Sequence, residues 1–311
     1  MCQEKEIERR KRQKRPGVSC YNPENKMNKI KRNKALSHLL IVVLSVITLT
    51  GMLASCSGGS AENKNAERIP ILTYHKIVPA GTEFETSLLI AEDTFDEQMK
   101  YLHDNGFTTL TLDEFYDWYK GDIEVPEKSV VVTFDDGYYG TYYLAYPIIK
   151  KYDQAATVFC IGHHIDEVTA EWDPNETEDH YICADVIEEM RQEYPRFSFE
   201  SHTFNMHKEI DDEHPVNVFT YEQMMEDAEQ NAAYDFKYLA YPWGDYNDTL
   251  IQALKDSGYK MAFSYRPFYY ATRSDDQYAV NRIKIGGKME LKEFKKIVNG
   301  KDKDYINPDA Q

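Results

Sequence analysis

Ser129-Val130-Val131-Val132-Thr133-Phe134-Asp135-Asp136-Gly137 is an apolar run that stops on two adjacent carboxylates and a glycine. A valine run bounded in this way reads as a strand buried on both faces, the kind found in parallel sheets. Neighbouring side chains on a strand point to opposite faces, so two adjacent acids share a site only where the strand has ended and the chain turns. Like charges that close need a cation, a shared proton or ample water. A solvated Asp-Gly turn is the plain alternative.

On either side of this strand the pattern alternates. Ile69 to Tyr74 reads as a strand. Thr94-x-x-Glu97 predicts a capped helix with Phe95, Met99 and Leu102 on one face, and Thr111-x-x-Glu114 predicts another, ended at Gly121. After Gly137 come a helix from Thr141 to Tyr152, a strand from Ala155 to Ile161, a helix from Asp179 to Arg191 and an extended Phe197 to Glu200. Thr220-x-x-Gln223 then opens a helix running to about Tyr234. Lys237 to Tyr241 and Met261 to Ser264 read as strands around a helix from Asp248 to Ser257, and Arg282 to Ile285 and Leu291 to Val298 close the series. Strand and helix alternating over roughly 240 residues argue for an α/β fold with a parallel sheet, and the length favours closure into a (β/α) barrel. There is no internal repeat.

The 311 residues carry a formal charge of −17, unevenly spread. Before Cys56 there are 12 Lys and Arg against 4 Asp and Glu; from Cys56 onward there are 24 against 49. Such an acidic body repels nucleic acid and anionic membranes. Leu39 to Ala54 is an apolar run, short for a membrane span and preceded by Lys29, Lys31, Arg32 and Lys34, which is the layout of a secretory signal peptide. Residues 1–55 are therefore expected to be a signal segment, with Met27 as an alternative start. Leu53-Ala54-Ser55-Cys56 resembles the lipobox of bacterial lipoproteins, which implies lipidation of Cys56, residues 56–67 as a flexible tether, and residues 68–311 as the working domain on the outer face of the membrane. Only Cys160 and Cys183 fall in that domain; they could pair, or Cys160 could simply be buried.

Barrels of this kind carry function on the loops after their strands. Asp135-Asp136 follows one strand, Glu200-Ser201-His202-Thr203-Phe204-Asn205-Met206-His207 another, and Tyr241-Pro242-Trp243-Gly244 a third, while Tyr74-His75 ends the first. One carboxylate and two imidazoles make a three-ligand set that leaves positions open for water, as in catalytic divalent-metal sites. His202 and His207, five apart, would converge from a turn rather than from a helix face. His163-His164 follows a strand end and reads as surface. Among the aromatic residues, Trp243, Trp172 and Tyr138 are the candidate sugar platforms.

These motifs together resemble the polysaccharide deacetylases of the NodB-homology class, the family 4 carbohydrate esterases. The Thr-Phe-Asp-Asp-Gly motif stands whole at Thr133 to Gly137. The His-[Ser/Thr]-x-x-His motif stands at His202 to His207 with one inserted residue, which, like Tyr-Pro-aromatic-Gly at Tyr241 to Gly244, resembles the poly-N-acetylglucosamine deacetylase branch. The resemblance covers about Ile69 to Ile285 and implies a distorted (β/α) barrel of about seven units. It further implies metal ligation by Asp136, His202 and His207, most readily of Zn2+ with Co2+ or Ni2+ as alternatives. Asp135 would then be the general base, Thr203 would support the ligands, the Trp243 backbone N–H would bind the oxyanion, and Tyr241, Pro242, Trp243 and Tyr138 would contact substrate.

Two departures stand out. The family's late Leu-x-His motif is absent, the last strand reading Asn281-Arg282-Ile283-Lys284-Ile285, and Ala240 occupies the place of an arginine expected before the Pro-aromatic-Gly turn. First and last strands of a closed barrel are neighbours, so His75 can stand where the terminal histidine would and act as general acid. The missing arginine leaves the orientation of Asp135 without an account at this level. The expected activity is N-deacetylation of a cell-envelope polysaccharide such as poly-N-acetylglucosamine, peptidoglycan or a chitin-like oligomer. The alternatives are an O-acetyl esterase on xylan with the same site, or a surface carbohydrate-binding protein with a degenerate one. Nothing in the sequence fixes the oligomeric state.

Overall fold

The valine run at Ser129–Phe134 is wholly buried, at the centre of a parallel sheet. The computed structural model describes residues 64–83, 86–165, 179–265 and 269–301; the expected signal segment, Cys56 and Trp172 lie outside them. Its strands are β1 (Arg68–Ile69), β2 (Ile71–Tyr74), β3 (Lys76–Val78), β4 (Leu89–Ala91), β5 (Thr108–Leu110), β6 (Ser129–Phe134), β7 (Ala156–Cys160), β8 (Phe197–Ser201), β9 (Tyr238–Ala240), β10 (Met261–Phe263), β11 (Ala271–Thr272) and β12 (Ile283–Lys284). The main sheet runs β10-β9-β8-β7-β6-β2-β12, with β5 also paired to β6. All these pairings are parallel.

The sheet curls until its ends meet. Phe263 of β10 forms a parallel bridge with Val280, just before β12, through Ser264 N–H to Val280 O at 2.9 Å and Val280 N–H to Ala262 O at 3.1 Å. Seven strands thus form the ring, and the segment entering β12 lies between β10 and β2. Inside it, Ile71, Val131, Phe159, Tyr238, Met261, Phe263 and Val280 make one apolar cluster. The helix Leu112–Lys120 adds Phe115 and Trp118 to that cluster, and Trp118 Nε1 donates to Ala66 O at 3.2 Å. The helices Tyr221–Gln230 and Asp248–Asp256 build a second cluster on β9 and β10 through Met224, Ala228, Leu250 and Leu254.

Several local expectations change. Thr111 and Glu114 form the predicted reciprocal cap, as do Thr220 and Gln223. Thr94 and Glu97 do not: the helix Glu92–Asp104 begins earlier, after Ala91, with no side-chain cap. The helix expected from Asp179 starts at Ala184. The stretch Thr141–Ala145 is one turn of π-helix before the α-helix Tyr146–Lys151. Residues 64–67, expected as the end of the tether, are packed: Asn65 bridges Pro126 and Ala66 is buried. Cys160 is a buried free thiol, so it forms no bridge with Cys183.

Candidate active site

Alternation along β6 carries the series Val131, Thr133, Asp135 to one face, the barrel interior. Asp136 would then point away, but it takes φ 71° and Gly137 φ 78°, so the chain turns at once and both carboxylates are buried beside each other. A left-handed conformation at a residue other than glycine costs about 1–3 kcal/mol and persists only where the surroundings fix it. Thr203 (φ 66°) and Trp243 (φ 54°) share it. All three lie at the ends of strands on the face where the motifs gather.

Asp136, His202 and His207 converge, with one potential ligand atom from each within 4.8 Å of the others. His202 Nε2 is 3.3 Å and His207 Nε2 3.5 Å from Asp136 Oδ1. Ligand atoms about 2.0–2.1 Å from a tetrahedral zinc ion lie about 3.3 Å apart, so both Asp136–His spacings suit one. The two imidazoles approach Asp136 Oδ1 without hydrogen-bond alignment, which leaves it a buried oxygen with no donor. His202 Nδ1 lies 2.8 Å from Ala240 O; as the donor there, it leaves the Nε2 lone pair facing Asp136. The donor chemistry, the spacing and the orphaned oxygen all fit a divalent cation.

The electrostatics favour ligation at Asp136 and His207. Burial would raise the Asp136 pKa, but the imidazole of His202 beside it, with His75 and His207, brings it well below the carboxylate range. Burial and the neighbouring His202 push His207 down to about 4, so its ring is neutral and able to ligate at neutral pH. For His202 burial opposes the charged form, yet Asp136 and Asp135 raise its pKa overall.

The ligand-bearing loop is fixed from below. Asp227, 6 % exposed, accepts from Phe204 N–H at 2.8 Å and Asn205 N–H at 2.7 Å. Thr203, expected to support the ligands, accepts from Met206 N–H at 3.3 Å. Burial raises the pKa of Asp227 to about 6, although those two N–H groups favour the carboxylate. Glu200, on β8, accepts from Lys237 N–H and Tyr238 N–H of the next strand, and burial raises it to about 7.

Arg282 supplies what the sequence lacked. It is fully buried inside the ring, and its Nη1 and Nη2 donate to Asp135 Oδ1 and Oδ2 at 2.7 and 2.9 Å. Nη1 also reaches Thr133 Oγ1 at 3.2 Å, Nε reaches Ser264 O at 3.3 Å, and the guanidinium lies over the Phe159 ring. The arginine absent at Ala240 is thus replaced from another strand. Burial would raise Asp135; the Arg282 charge, aided by His202, lowers its pKa overall. The signal was present: an arginine between Val280 and Ile283, in the strand that neighbours β2.

His75 ends β2 with its Nε2 4.0 Å from Asp135 Oδ2. Its Nδ1 is buried without a hydrogen-bond partner. Burial lowers its pKa, Arg282 and His202 add to that, and Asp135 and Asp136 oppose it, so the ring is neutral at rest.

The expected sugar platforms are placed differently. The ring of Trp243 is stacked by two imidazoles, His207 at 4.4 Å and 22° and His214 at 3.9 Å and 9°. Two rings that close and parallel to one indole avoid each other only on opposite faces, so no face is left for a sugar. Tyr241 is fully buried with its hydroxyl on Tyr278 O at 2.9 Å, and Pro242 is buried too, so neither presents a side chain to a glycan. Tyr138 is half-buried beside Asp136; its ring stacks on Tyr181, and Lys76 Nζ lies over it at 5.5 Å. His164 stacks on Tyr181 at 3.9 Å and belongs to this aromatic wall, while His163 is exposed.

Known proteins share these features. The sequence pattern of the family described as polysaccharide deacetylase matches residues 122–262. YxkH of Bacillus subtilis (strain 168), a protein carrying the polysaccharide deacetylase name, is 33% identical over 233 residues, 73% of this chain and 75% of its own length. A poly-beta-1,6-N-acetyl-D-glucosamine N-deacetylase of Staphylococcus aureus (strain MSSA476) is 27% identical over 272 residues, 79% of this chain and 89% of its own. Among solved structures, the Streptococcus pyogenes deacetylase PplD in complex with acetate superposes with a TM-score of 0.61 at 26% identity, covering 74% of this chain and 98% of that one.

Proposed function

Because the chain belongs to the polysaccharide deacetylase family, a family of hydrolases, we propose that it removes N-acetyl groups from an N-acetylglucosamine-containing polysaccharide of the cell envelope. The observation that carries this reading is the bidentate Arg282–Asp135 pair set beside the Asp136–His202–His207 cluster. A fixed base next to a ligand set with open positions is the equipment of hydrolysis. The name of the staphylococcal relative supports poly-N-acetylglucosamine as the substrate class.

Asp136, His202 and His207 would hold the cation, zinc by its donor set and spacing. When bound, it supplies Lewis acidity to the amide carbonyl and to the attacking water. Asp135, ionised and clamped through both oxygens, accepts the proton of that water on its remaining lone pairs. The Trp243 backbone N–H, which makes no hydrogen bond among the described residues, donates to the oxyanion of the tetrahedral intermediate. An amide nitrogen leaves poorly as an anion, so it must be protonated as its bond to the acetyl carbon breaks. His75 fills that role: its ring is neutral at rest, and it passes on the proton that Asp135, 4.0 Å from its Nε2, takes from the attacking water. Water thus supplies hydroxide to the acetyl carbon and a proton to the amine. Tyr138, half-buried beside Asp136, would meet the sugar.

The signal-like segment and Cys56 support export and a lipid anchor on the outer face of the membrane. Among the described residues no helix is long and apolar enough to cross a membrane.

Comparison of an amide with an ester substrate tests the reading. His75→Ala should lower acetate release from N-acetylglucosamine oligomers at least 100-fold, yet lower hydrolysis of an aryl acetate, whose leaving group needs no proton, less than tenfold. Equal losses on both would remove His75 from the acid role, and better turnover of acetylated xylan than of the amide would favour the O-acetyl esterase.

A further inference from the structure

Metal-binding histidines are usually held by a hydrogen bond from the second ring nitrogen to a carbonyl or carboxylate. His202 has that bond, to Ala240 O. For His207 such a bond goes only to its own backbone among the described residues, and its side chain is 26% exposed. What touches its ring is Trp243, stacked at 4.4 Å, and behind Trp243 the ring of His214 at 3.9 Å.

This stack is braced at its His214 end and at Trp243 in its middle. His214 Nδ1 lies 2.6 Å from Asp245 Oδ2. His214 caps the short helix Pro215–Val218, whose Val216 O accepts from Asn247 Nδ2 at 2.6 Å, so the two loops are tied twice. Trp243 sits in a three-residue turn, Pro242–Gly244, held by Gly244 N–H to Tyr241 O at 2.9 Å and Ser264 Oγ to Gly244 O at 2.9 Å. Gly244 has φ 78°, and a Cβ there would meet Tyr265 N at 3.1 Å, so this turn has little room for change. The Trp243 backbone, at φ 54°, is held by this turn, and its indole lies between the two imidazoles.

The geometry points to His214 as a positioning residue: braced by Asp245, it acts through the Trp243 indole to hold the ring of His207 in its ligating orientation. The inference rests on the metal-site reading of Asp136, His202 and His207. It also explains why the aromatic residue of the Tyr-Pro-aromatic-Gly turn gives its two faces to imidazoles instead of to a sugar. Among the described residues no hydrogen bond or ion pair joins His214 to Asp136, His202 or His207, so its effect reaches the cation through this stack.

Zinc titration of the full chain by calorimetry, with the absorption spectrum of the Co2+-loaded protein, tests it. His214→Ala removes the backstop and should weaken Zn2+ binding about tenfold and alter the Co2+ spectrum. His214→Phe keeps the stack without the Asp245 bond and should restore both to near wild-type values. Should His214→Ala not fold, His214→Asn, which also removes the ring from behind Trp243, takes its place with the same expected weakening. Unchanged affinity and spectrum in the alanine variant, or equal losses in the Ala and Phe variants, would overturn the proposal while leaving the metal site standing. Failure of the wild-type chain to bind either cation would overturn the metal reading, and the proposal with it.

Discussion

Arg282 and Asp135 form a buried, bidentate ion pair, and such pairs are costly to break because the surviving charge stays buried. Arg282→Met should therefore destabilise the protein by about 3–5 kcal/mol in denaturant melts. It should also move the acid limb of the pH–rate profile. Arg282 helps hold the Asp135 pKa below the ordinary carboxylate value, so its loss lets burial raise that pKa, and the base is ionised only at higher pH. The limb should shift upward; an unshifted limb would show that the base is tuned by something else. The sequence made Asp135 legible because two adjacent acids after a valine strand are chemically costly. Arg282 stayed hidden because its partner is 147 positions away and only the closed ring brings them together.

At the scale of elements, β8 and the loop after it carry both histidine ligands, and two buried acids stand beneath them. Glu200 has a folded-state pKa of about 7, above its unfolded value of 4.5. A group raised in this sense binds more protons when folded, so stability falls as pH climbs through that window and is constant above it. The ionised carboxylate costs roughly 3 kcal/mol by linkage. Glu200→Gln keeps an acceptor for Lys237 and Tyr238 N–H without the charge, so it should raise Tm at pH 8.5 and do little at pH 4; equal shifts at both would refute the assignment. Asp227→Ala should orphan the N–H groups of Phe204 and Asn205 and cost about 1–3 kcal/mol per group, while loosening the loop that bears His207. The capping boxes at Thr111 and Thr220 were readable because they are local. The one at Thr94 misled because the chain enters that helix from β4, and the entry point was set by the Lys76–Val78 pairing with Leu89–Ala91.

Across the whole molecule, strand–helix alternation and the length of the domain were enough to give the parallel sheet and its closure, since both follow from what buries an all-apolar strand. Closure then explains how a histidine from the first strand and an arginine from the segment entering the last come to face one carboxylate. The sugar platforms were not legible, because an exposed-looking tryptophan in a turn carries no sign of which rings will cover it; the sandwich depends on His214 and Asp245, which no local motif marks. The export reading makes its own prediction at this scale: wild-type protein should partition with membranes and Cys56→Ala should leave them, with no change in the activity of the domain.

Acetate release from N-acetylglucosamine oligomers is the most direct measurement. It should be followed for the protein as purified, after chelation, after Zn2+ is restored, and for Asp135→Asn. The expected result is activity that chelation abolishes and Zn2+ returns, and a loss of several orders of magnitude in the variant. Release that survives chelation, or that Asp135→Asn leaves intact, would contradict it.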